Sequence, residues 1–240
     1  MGQQTADALA RRSAQRQARF LLPLLERGAS VLDCGCGPGS ITCDLARHVA
    51  PGPVVGIDVS PAQVERAAAH SAEAKLDNVS FQTASIYDLP FAAGRFEVVF
   101  AHGLFQHLAN PNRAIREMCR VLAPGGIVAL RSPDWGALLV APRTQALVAA
   151  LNAFLDAYYA NGDAFAGRNG PSLLRKAGCK DVTFTATLEH ERPADLGPFA
   201  ATKLTLPDQA SEAACLHAWA SDPDALFAQV WGETVARRAE

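Results

Sequence analysis

The sequence predicts an α/β fold in which helices cover both faces of a parallel sheet. Three observations indicate it. Apolar, strand-like runs alternate with segments of helical periodicity along most of the chain. A glycine-rich segment, VLDCGCGPGS, contains the end of the first run and leads into a helix. Polar side chains follow several of the runs, as in parallel sheets that bind ligands beyond the carboxyl ends of their strands.

The first half of the chain supplies most of the regular elements. Residues 6–26 are rich in Ala, Leu, Arg and Gln, which predicts a helix with Pro23 as its break. Short apolar runs predict buried strands at 30–34, 54–60, 79–85, 96–102 and 127–134. Helical spacing, together with start and stop residues, predicts helices at 40–49, 60–75 and 110–126.

The second half is less regular. Residues 143–160 and 171–179 predict helices, and residues 181–190 alternate like a strand. From about residue 193 to residue 240, helix patterns are interrupted by four prolines. We therefore predict that this last region is a cap or a docked tail.

Length and composition restrict the classes of function. The chain has 240 residues, 49% of them hydrophobic and 19% charged, which suits one domain or one domain with a small appendage. The net charge of −2 favours neither a nucleic-acid partner nor a membrane surface. No apolar run approaches the roughly 18 residues of a membrane span, and no signal core follows the N-terminal arginines. The six cysteines show no zinc-binding spacing. We expect a cytoplasmic monomer or homodimer without a metal site.

The glycine-rich segment indicates a ligand that approaches the main chain closely. Gly35, Gly37 and Gly39 stand at alternate positions behind Asp33, between a strand and a helix. A dinucleotide would place its pyrophosphate here, but the G-x-G-x-x-G pattern that binds it has its third glycine where this chain has Ser40. The Asp33 carboxylate would repel a pyrophosphate and attract an ammonium group.

A second carboxylate, Asp58, ends the next strand. A carboxylate can accept hydrogen bonds from both hydroxyls of a ribose. Alone, Asp58 fits both NAD and an adenosyl ligand. Together with Asp33 and the glycines, it predicts a site for an adenosine that carries a cationic amino-acid tail, which describes S-adenosylmethionine.

These segments resemble the class I S-adenosylmethionine-dependent methyltransferases. VLDCGCGPGS is similar to the first motif of that family and VVGIDVSPAQVERA to its second. The stretch from LPFAAGRF to GGIVAL resembles the third-to-fifth-strand region of the small-molecule subgroup, which includes the quinone-biosynthesis methyltransferases. The resemblance covers roughly residues 28–135 and continues weakly to about residue 190. It implies a doubly wound, Rossmann-like fold with a seven-stranded, mostly parallel sheet and helices on both faces.

The resemblance also divides the chain. Residues 1–27 are expected to form an N-terminal helical lid segment, residues 28–192 the S-adenosylmethionine-binding core, and residues 193–240 a C-terminal helical tail or cap. Four arginines recur in the first of these segments, and they form either a solvated helix face or a lid that closes on the cofactor: Arg11, Arg12, Arg16 and Arg19.

The resemblance implies a role for each matching residue of the first motif. Asp33 and the backbone of Gly35 and Gly37 would meet the methionine moiety of the cofactor. Cys36 and Gly39 would shape the turn.

Residues of the next two motifs would hold the nucleoside. Asp58 would bind the ribose hydroxyls, and Val59 would flank the adenine. Ser85, with Ile86 beside it, stands where many relatives carry an Asp that bonds the adenine amino group. This is a departure from the family, because a serine hydroxyl can accept that bond only without charge.

The end of the fourth strand would meet the reacting end of the cofactor. Ala101 and His102 are expected to face the sulfonium. A base is needed only if the acceptor must lose a proton. His102 is the first candidate for this role, His107 the second and Tyr87 the third.

The acceptor is expected to be a small organic molecule that is methylated on oxygen, carbon or nitrogen. AHGLF stands where amino-directed enzymes acting on nucleobases or glutamine carry N-P-P-[YF]. No acidic cluster suggests metal-assisted transfer, and no basic surface suggests RNA or DNA.

Two other functions stay open. One is an NAD(P)-dependent oxidoreductase, against which Asp33 and the register of the glycines count. The other is a family member that binds S-adenosylmethionine without methylating, which the departure at Ser85 leaves open. Individual residues also have two interpretations, catalysis or ligand contact on one side and packing or turn formation on the other: His102, His107, Trp135, Asp134 and Asp88.

Overall fold

Seven strands form one sheet in the computed structural model, which describes residues 12–240. They are β1 (Val31–Cys34), β2 (Val54–Asp58), β3 (Val79–Thr83), β4 (Phe96–His102), β5 (Leu122–Ala141), β6 (Lys180–Glu191) and β7 (Leu226–Arg237). Their order across the sheet is β3-β2-β1-β4-β5-β7-β6. Strands β1 to β5 pair in parallel, whereas β7 runs antiparallel to both of its neighbours. The predicted α/β fold with a seven-stranded, mostly parallel sheet is confirmed.

Helices connect the strands. They are α1 (Ala14–Gln17), α2 (Ser40–Val49), α3 (Pro61–Glu73), α4 (Pro111–Val121), α5 (Gln145–Tyr158), α6 (Ala166–Lys176), α7 (Pro193–Ala201) and α8 (Ala210–Ala220), with short 3₁₀ helices at Leu22–Leu24, Phe105–His107 and Pro207–Gln209. Helix α3 begins as predicted, with Ser60 at its N-cap and Pro61 as its first residue. No helix among residues 12–240 is long and apolar enough to cross a membrane.

The order of the strands reverses at β1, which lies between β2 and β4. At the end of β1, Cys34 is paired with Ile57 on one side and Ala101 on the other. A crevice opens outside the carboxyl ends of such strands, and this is where α/β sheets bind ligands. The topology therefore brings Asp58 and His102 to the same edge of the sheet.

Buried apolar side chains cover both faces of the sheet. Alternate residues of β4 point to opposite faces, so Val99 and Ala101 pack with α4 and α6, whereas Val98 and Phe100 pack with α1 and α2. A further cluster, rich in aromatic side chains, gathers α5, α7 and α8 around Trp135. We call it the aromatic subdomain. It includes residues from the paired ends of β5 and β7, such as Leu138 and Phe227.

The prediction of a helical tail or cap for residues 193–240 was wrong for its last part. Only α7 and α8 are helical, and Leu226–Arg237 forms β7, a strand inside the sheet. β7 carries buried polar side chains at Gln229, Glu233 and Thr234. These polar residues interrupt the apolar run by which the other buried strands were recognised in the sequence.

The helix predicted over residues 6–26 was also wrong within the described part, and residues 1–11, with Arg11, lie outside it. Only Ala14–Gln17 is α-helical, followed by a 3₁₀ turn at Leu22–Leu24. The segment instead lies against the sheet, with Ala14, Ala18 and Leu21 buried. Tertiary packing here overrides a weak local helix preference.

Candidate active site

The N–H groups of the glycine loop between β1 and α2 form hydrogen bonds within the protein. Gly35, Gly37 and Gly39 all have positive φ, at 75°, 54° and 81°. The N–H groups of Gly35 and Cys36 donate to the Ile57 carbonyl at 2.8 and 2.9 Å, and that of Gly39 donates to the Cys36 carbonyl at 3.1 Å. A Cβ atom on Gly39 would lie 2.7 Å from Cβ of Ala67, so the turn that Cys36 and Gly39 were predicted to shape requires glycine there.

Asp33 is a buried carboxylate without a cationic partner in the described part of the chain. Its Oδ2 accepts a hydrogen bond of 2.7 Å from Oγ1 of Thr42, a neutral group. Burial raises the pKa of Asp33 to about 7, the Thr42 hydrogen bond opposes this rise, and the charge of Asp58 adds to it. A bound ammonium group would supply the missing positive charge.

Asp58 anchors the glycine loop with both of its carboxylate oxygens. Oδ2 accepts from the Gly37 N–H at 3.0 Å, and Oδ1 accepts from the Ser60 N–H at 2.9 Å. Each oxygen retains a lone pair for a further donor, so the pair can still receive two ribose hydroxyls. Val59 follows with 69% of its side chain exposed, an apolar surface next to that carboxylate.

Ser85 and Ile86 lie beside this edge with different exposures. The Ser85 hydroxyl oxygen accepts from the Tyr87 N–H at 3.2 Å, and its carbonyl accepts from the Asp88 N–H at 3.1 Å. Its O–H therefore remains available to donate. Ile86 is buried in the core, so only its main chain can face a ligand. Asp88 belongs to this exposed turn.

The end of β4 carries a buried, neutral histidine. Ala101 packs into the core, whereas His102 stacks on Trp231 with ring centroids 5.0 Å apart. Neither ring nitrogen of His102 has a hydrogen-bond partner within residues 12–240. Burial lowers the pKa of His102 well below 6.5, and the charges of Arg12 and Arg131 lower it further. At neutral pH, the imidazole is therefore uncharged, and one of its nitrogens can accept a hydrogen bond.

A buried ionic network beside His102 was missed from the sequence. Arg131, on β5, is only 1% exposed and donates through Nε to Glu233 on β7 at 3.1 Å. Its Nη2 donates to Thr187 at 3.2 Å and also to Glu189, both on β6. The charged residue that ends the apolar run IVALR was the available signal.

His107 lies at the end of the 3₁₀ helix Phe105–His107, against the aromatic subdomain. Its ring stacks on Tyr159 and meets Tyr158 edge-on, both at 5.6 Å between centroids. Partial burial lowers its pKa, and Arg12 lowers it further. Tyr87, the third candidate base, is instead tied to the start of α4, where its Oη accepts from the Asn110 N–H at 3.1 Å.

Trp135 and Asp134 have structural partners. Nε1 of Trp135 donates to Oη of Tyr159 at 2.8 Å, inside the aromatic subdomain. Asp134 receives two hydrogen bonds from Arg168, at 2.6 and 2.7 Å, and one from the Gly136 N–H at 3.0 Å. Both residues therefore stabilise the irregular part of β5, where its register with β7 shifts between Asp134 and Leu138.

The described N-terminal arginines differ from one another. Arg16 and Arg19 are exposed, and Arg16 pairs with Glu189 at 3.4 Å. Arg12 instead reaches inward. A Cβ atom built on Gly103 would lie 3.6 Å from Nη1 of Arg12, which places this guanidinium at the corner that follows β4.

The sequence of this chain is similar to known methyltransferases. A family model described as a methyltransferase domain matches residues 25–178. An uncharacterized methyltransferase of Schizosaccharomyces pombe is 33% identical over 144 residues, which cover 58% of this chain and 52% of the relative. A ubiquinone biosynthesis O-methyltransferase of Coxiella burnetii is 34% identical over 100 residues, which cover 42% of each. The chain therefore spans about half the length of these curated relatives, or less.

One solved structure extends the comparison to nearly the whole chain. The [4+2]-cyclase SpnF superposes with a TM-score of 0.59 and 25% identity, over 96% of this chain and 84% of that one. The fold of this chain is thus similar to that of a protein whose name describes a cyclisation reaction.

Proposed function

We propose that this chain, which belongs to the methyltransferase domain family, uses S-adenosylmethionine to methylate a small organic molecule on oxygen, carbon or nitrogen. The observation that carries the proposal is the chemistry of the sheet edge at β1 and β2. The loop N–H groups of Gly35, Cys36 and Gly37 donate within the protein, while Asp33 and Asp58 supply two carboxylates. Such an edge suits a ligand with an ammonium group and hydroxyls. Because these N–H groups are already bonded within the protein, they are not available to bind a pyrophosphate.

The residues at this edge fit the cofactor. Asp33, a buried carboxylate with only a neutral hydrogen-bond donor among its described partners, would pair with the ammonium of the methionine moiety beside the Gly35–Gly37 backbone. Asp58 would accept the ribose hydroxyls, and the exposed Val59 side chain would lie against the adenine. Ser85 would donate its hydroxyl proton to a ring nitrogen, and the Ile86 main chain would lie beside it.

When bound, S-adenosylmethionine supplies a methyl group made electrophilic by its sulfonium. The task of the protein is then alignment and the exclusion of water. The Ala101 main chain and the His102 side chain form one wall at the end of β4, and the aromatic subdomain forms another next to His107. Arg12 covers the corner at Gly103.

His102 is the group that we assign to proton transfer. It is buried and neutral, and its ring nitrogens have no partner among residues 12–240, so one of them can receive the hydroxyl proton as the oxygen takes the methyl group. Because the charges of Arg12 and Arg131 oppose a protonated imidazole, the proton leaves the acceptor as the new O–C bond forms and not before it. His107 is the second candidate, and its contact with two tyrosines supports a role in shaping the acceptor pocket.

The O-methyltransferase relative supports a small-molecule acceptor, since its name places it in ubiquinone biosynthesis. A second candidate function is cofactor binding without methyl transfer. The [4+2]-cyclase that shares this architecture favours it, as does the replacement of the usual adenine-binding carboxylate by Ser85. The family assignment weighs against the oxidoreductase alternative.

Calorimetric titration with S-adenosylmethionine, S-adenosylhomocysteine and NAD tests the cofactor. We expect both adenosyl ligands to bind and NAD not to bind, whereas binding of NAD alone would contradict the proposal. Formation of S-adenosylhomocysteine in the presence of hydroxyl-bearing aromatic acceptors then separates the two candidate functions. Binding without turnover across such a panel would favour the non-methylating one.

A further inference from the structure

Buried polar atoms without partners gather beside His102, and they define what the acceptor must carry. We propose that the acceptor site takes a planar molecule with a carboxylate, held by Arg131, Trp231 and Gln229 on one side and by Arg12 on the other. This inference rests on the proposed function, because it names the substrate class of the same site.

Three of the unpartnered atoms are hydrogen-bond donors. Within the described part of the chain, Nη1 of Arg131, Nε1 of Trp231 and Nε2 of Gln229 have no acceptor. All three side chains are more than nine-tenths buried. A buried donor without an acceptor is destabilising, so three together indicate that a ligand supplies the missing oxygen atoms.

Sheet pairing brings these donors to one face. Gln229 and Trp231 are two residues apart on β7, so they point to the same side of the sheet. Arg131 lies opposite Glu233 on β5, and its guanidinium carbon lies 4.5 Å from the centre of the Trp231 ring. His102, paired with Arg131, completes the row on β4.

The charges of the cluster favour an anion. The carboxylates of Glu233 and Glu189 are already bonded to Arg131, and Glu189 also pairs with Arg16. Arg12 is half-buried and forms no close ion pair with any residue among 12–240, although Glu191 attracts it from a greater distance. Its guanidinium therefore adds positive charge to this corner of the site without a described carboxylate in direct contact.

Flat side chains lie beside these polar groups. His102 stacks on Trp231 with the ring planes 26° apart, and His107, Tyr158 and Tyr159 form a second aromatic surface. Arg12 links the two surfaces, since its charge acts on His102, His107 and Tyr158. Rings of this kind favour stacking or edge contacts with a planar ligand.

The polar atoms also give the acceptor an orientation. Oε1 of Gln106 and one ring nitrogen of the neutral His102 can accept, and they lie where β4 ends. The donors lie farther along the sheet, on β5 and β7. The hydroxyl that is methylated therefore points to His102, and the carboxylate points to Arg131 and Trp231.

Binding to the protein saturated with S-adenosylhomocysteine tests the proposal without turnover. The probes are 3-hydroxybenzoate, 3-hydroxybenzamide and 3-hydroxybenzylamine, which match in size and differ in charge. We expect the anion to bind at least about tenfold more tightly than the amide, because hydrogen bonds to a charged group contribute about 1.5–3 kcal/mol. The amine should bind most weakly, since its ammonium group would meet the guanidinium of Arg131, with the positive charge of Arg12 at the other side of the site.

Two variants test whether the preference for the anion depends on Trp231 and Arg12. Trp231→Phe keeps a ring against His102 but removes the indole N–H, and it should weaken the anion about fivefold or more. Arg12→Gln should reduce the preference for the anion over the amide to about threefold or less. Trp219→Phe is the matched control, because Nε1 of Trp219 donates to the Ala141 carbonyl outside this cluster. It should change neither value.

Several outcomes would overturn the proposal. The first is equal affinity for the amide and the anion, and the second is higher affinity for the amine than for the anion. The third is no binding of any probe at millimolar concentrations while S-adenosylhomocysteine binds. Failure of S-adenosylhomocysteine itself to bind would instead contradict the proposed function. In that case, the same three probes measured on the protein alone still decide whether this cluster selects an anion.

Discussion

The imidazole of His102 stacks on the indole of Trp231, with ring centroids 5.0 Å apart and ring planes inclined by 26°. The two residues belong to β4 and β7, and Arg131 of β5 lies between those strands in the sheet. The stack holds the histidine ring in place while leaving both of its nitrogens without partners in the described part of the chain. Packing therefore fixes the ring, and we propose that its nitrogens face a ligand.

His102→Phe should remove proton transfer and retain the stack. For a hydroxyl acceptor, we expect kcat to fall about 10²–10⁴-fold, the usual contribution of a positioned general base. The affinity for S-adenosylhomocysteine should change little. His107→Phe, which keeps its contacts with Tyr158 and Tyr159, is the matched variant and should retain kcat within about threefold. Equal losses of kcat in both variants would contradict a role for His102 in proton transfer.

The same substitution should leave the fold at least as stable. His102 buries two ring nitrogens that lack described partners, and replacing unpaired polar groups by an apolar ring is neutral or stabilising. We therefore expect an unchanged or higher Tm for His102→Phe without ligand. A large fall in Tm would show that the nitrogens have structural partners, and it would weaken the case for a ligand-facing role.

Asp58→Ala should weaken cofactor binding by about 1–3 kcal/mol, because the ribose hydroxyls would lose their acceptors. The substitution also releases the N–H groups of Gly37 and Ser60, so the loop should become more mobile. Calorimetry with S-adenosylhomocysteine measures the loss. Asp88→Ala, in the exposed turn next to Ser85, serves as the control and should bind normally. An unchanged dissociation constant for Asp58→Ala would show that Asp58 does not bind the ribose hydroxyls.

Cofactor affinity should depend on pH through Asp33. Burial raises the pKa of this group to about 7 in the unliganded protein, and a bound ammonium would lower it. Binding below about pH 7 must therefore release a proton, and affinity should fall by up to about tenfold per pH unit as the pH decreases. Above that pH, the affinity should be level. Calorimetry in buffers of different ionisation enthalpy measures the released proton, and Asp33→Asn should bind weakly and release none from this site.

The stability of the unliganded protein should show the opposite trend at this group. The folded pKa of Asp33 lies above its ordinary value of 3.8, so the folded chain binds more protons than the unfolded chain between about pH 4 and pH 7. The contribution of Asp33 to stability is thus fully present at the lower end of this window and is lost as the pH rises through 7. The difference between the wild-type and Asp33→Asn free energies of unfolding, measured across the window, isolates this contribution.

Arg131 should be essential for stability. Arg131→Met leaves Glu233, which is 4% exposed, without its cation, and breaking a buried ion pair in this way costs about 3–5 kcal/mol. Denaturant unfolding measures the loss. Arg192→Met removes the exposed pair with Asp195 and should leave the free energy of unfolding nearly unchanged, because solvent screens exposed ion pairs. Similar small losses in both variants would mean that the buried network is hydrated.

Local patterns determined the architecture around the cofactor. The run VLDCGCGPGS contains the strand, the turn glycines and Asp33 in one segment, and VVGID ends on Asp58 in the same way. Both segments could be interpreted because the contacts within them are local and because parallel strands end at a shared edge. The five strands β1 to β5 and most helices were predicted for this reason.

The sequence by itself thus determined the fold class, the family and the edge at which a cofactor would bind. Only the tertiary structure decided where β7 lies, that Arg12 turns inward, and that Arg131, Trp231 and His102 meet. The physical reason is that β7 pairs antiparallel with β5 and β6 from a distant part of the chain, with buried polar residues in place of an apolar run. No local periodicity specifies which strands such a segment will join, because its polar side chains are stabilised by partners from other strands.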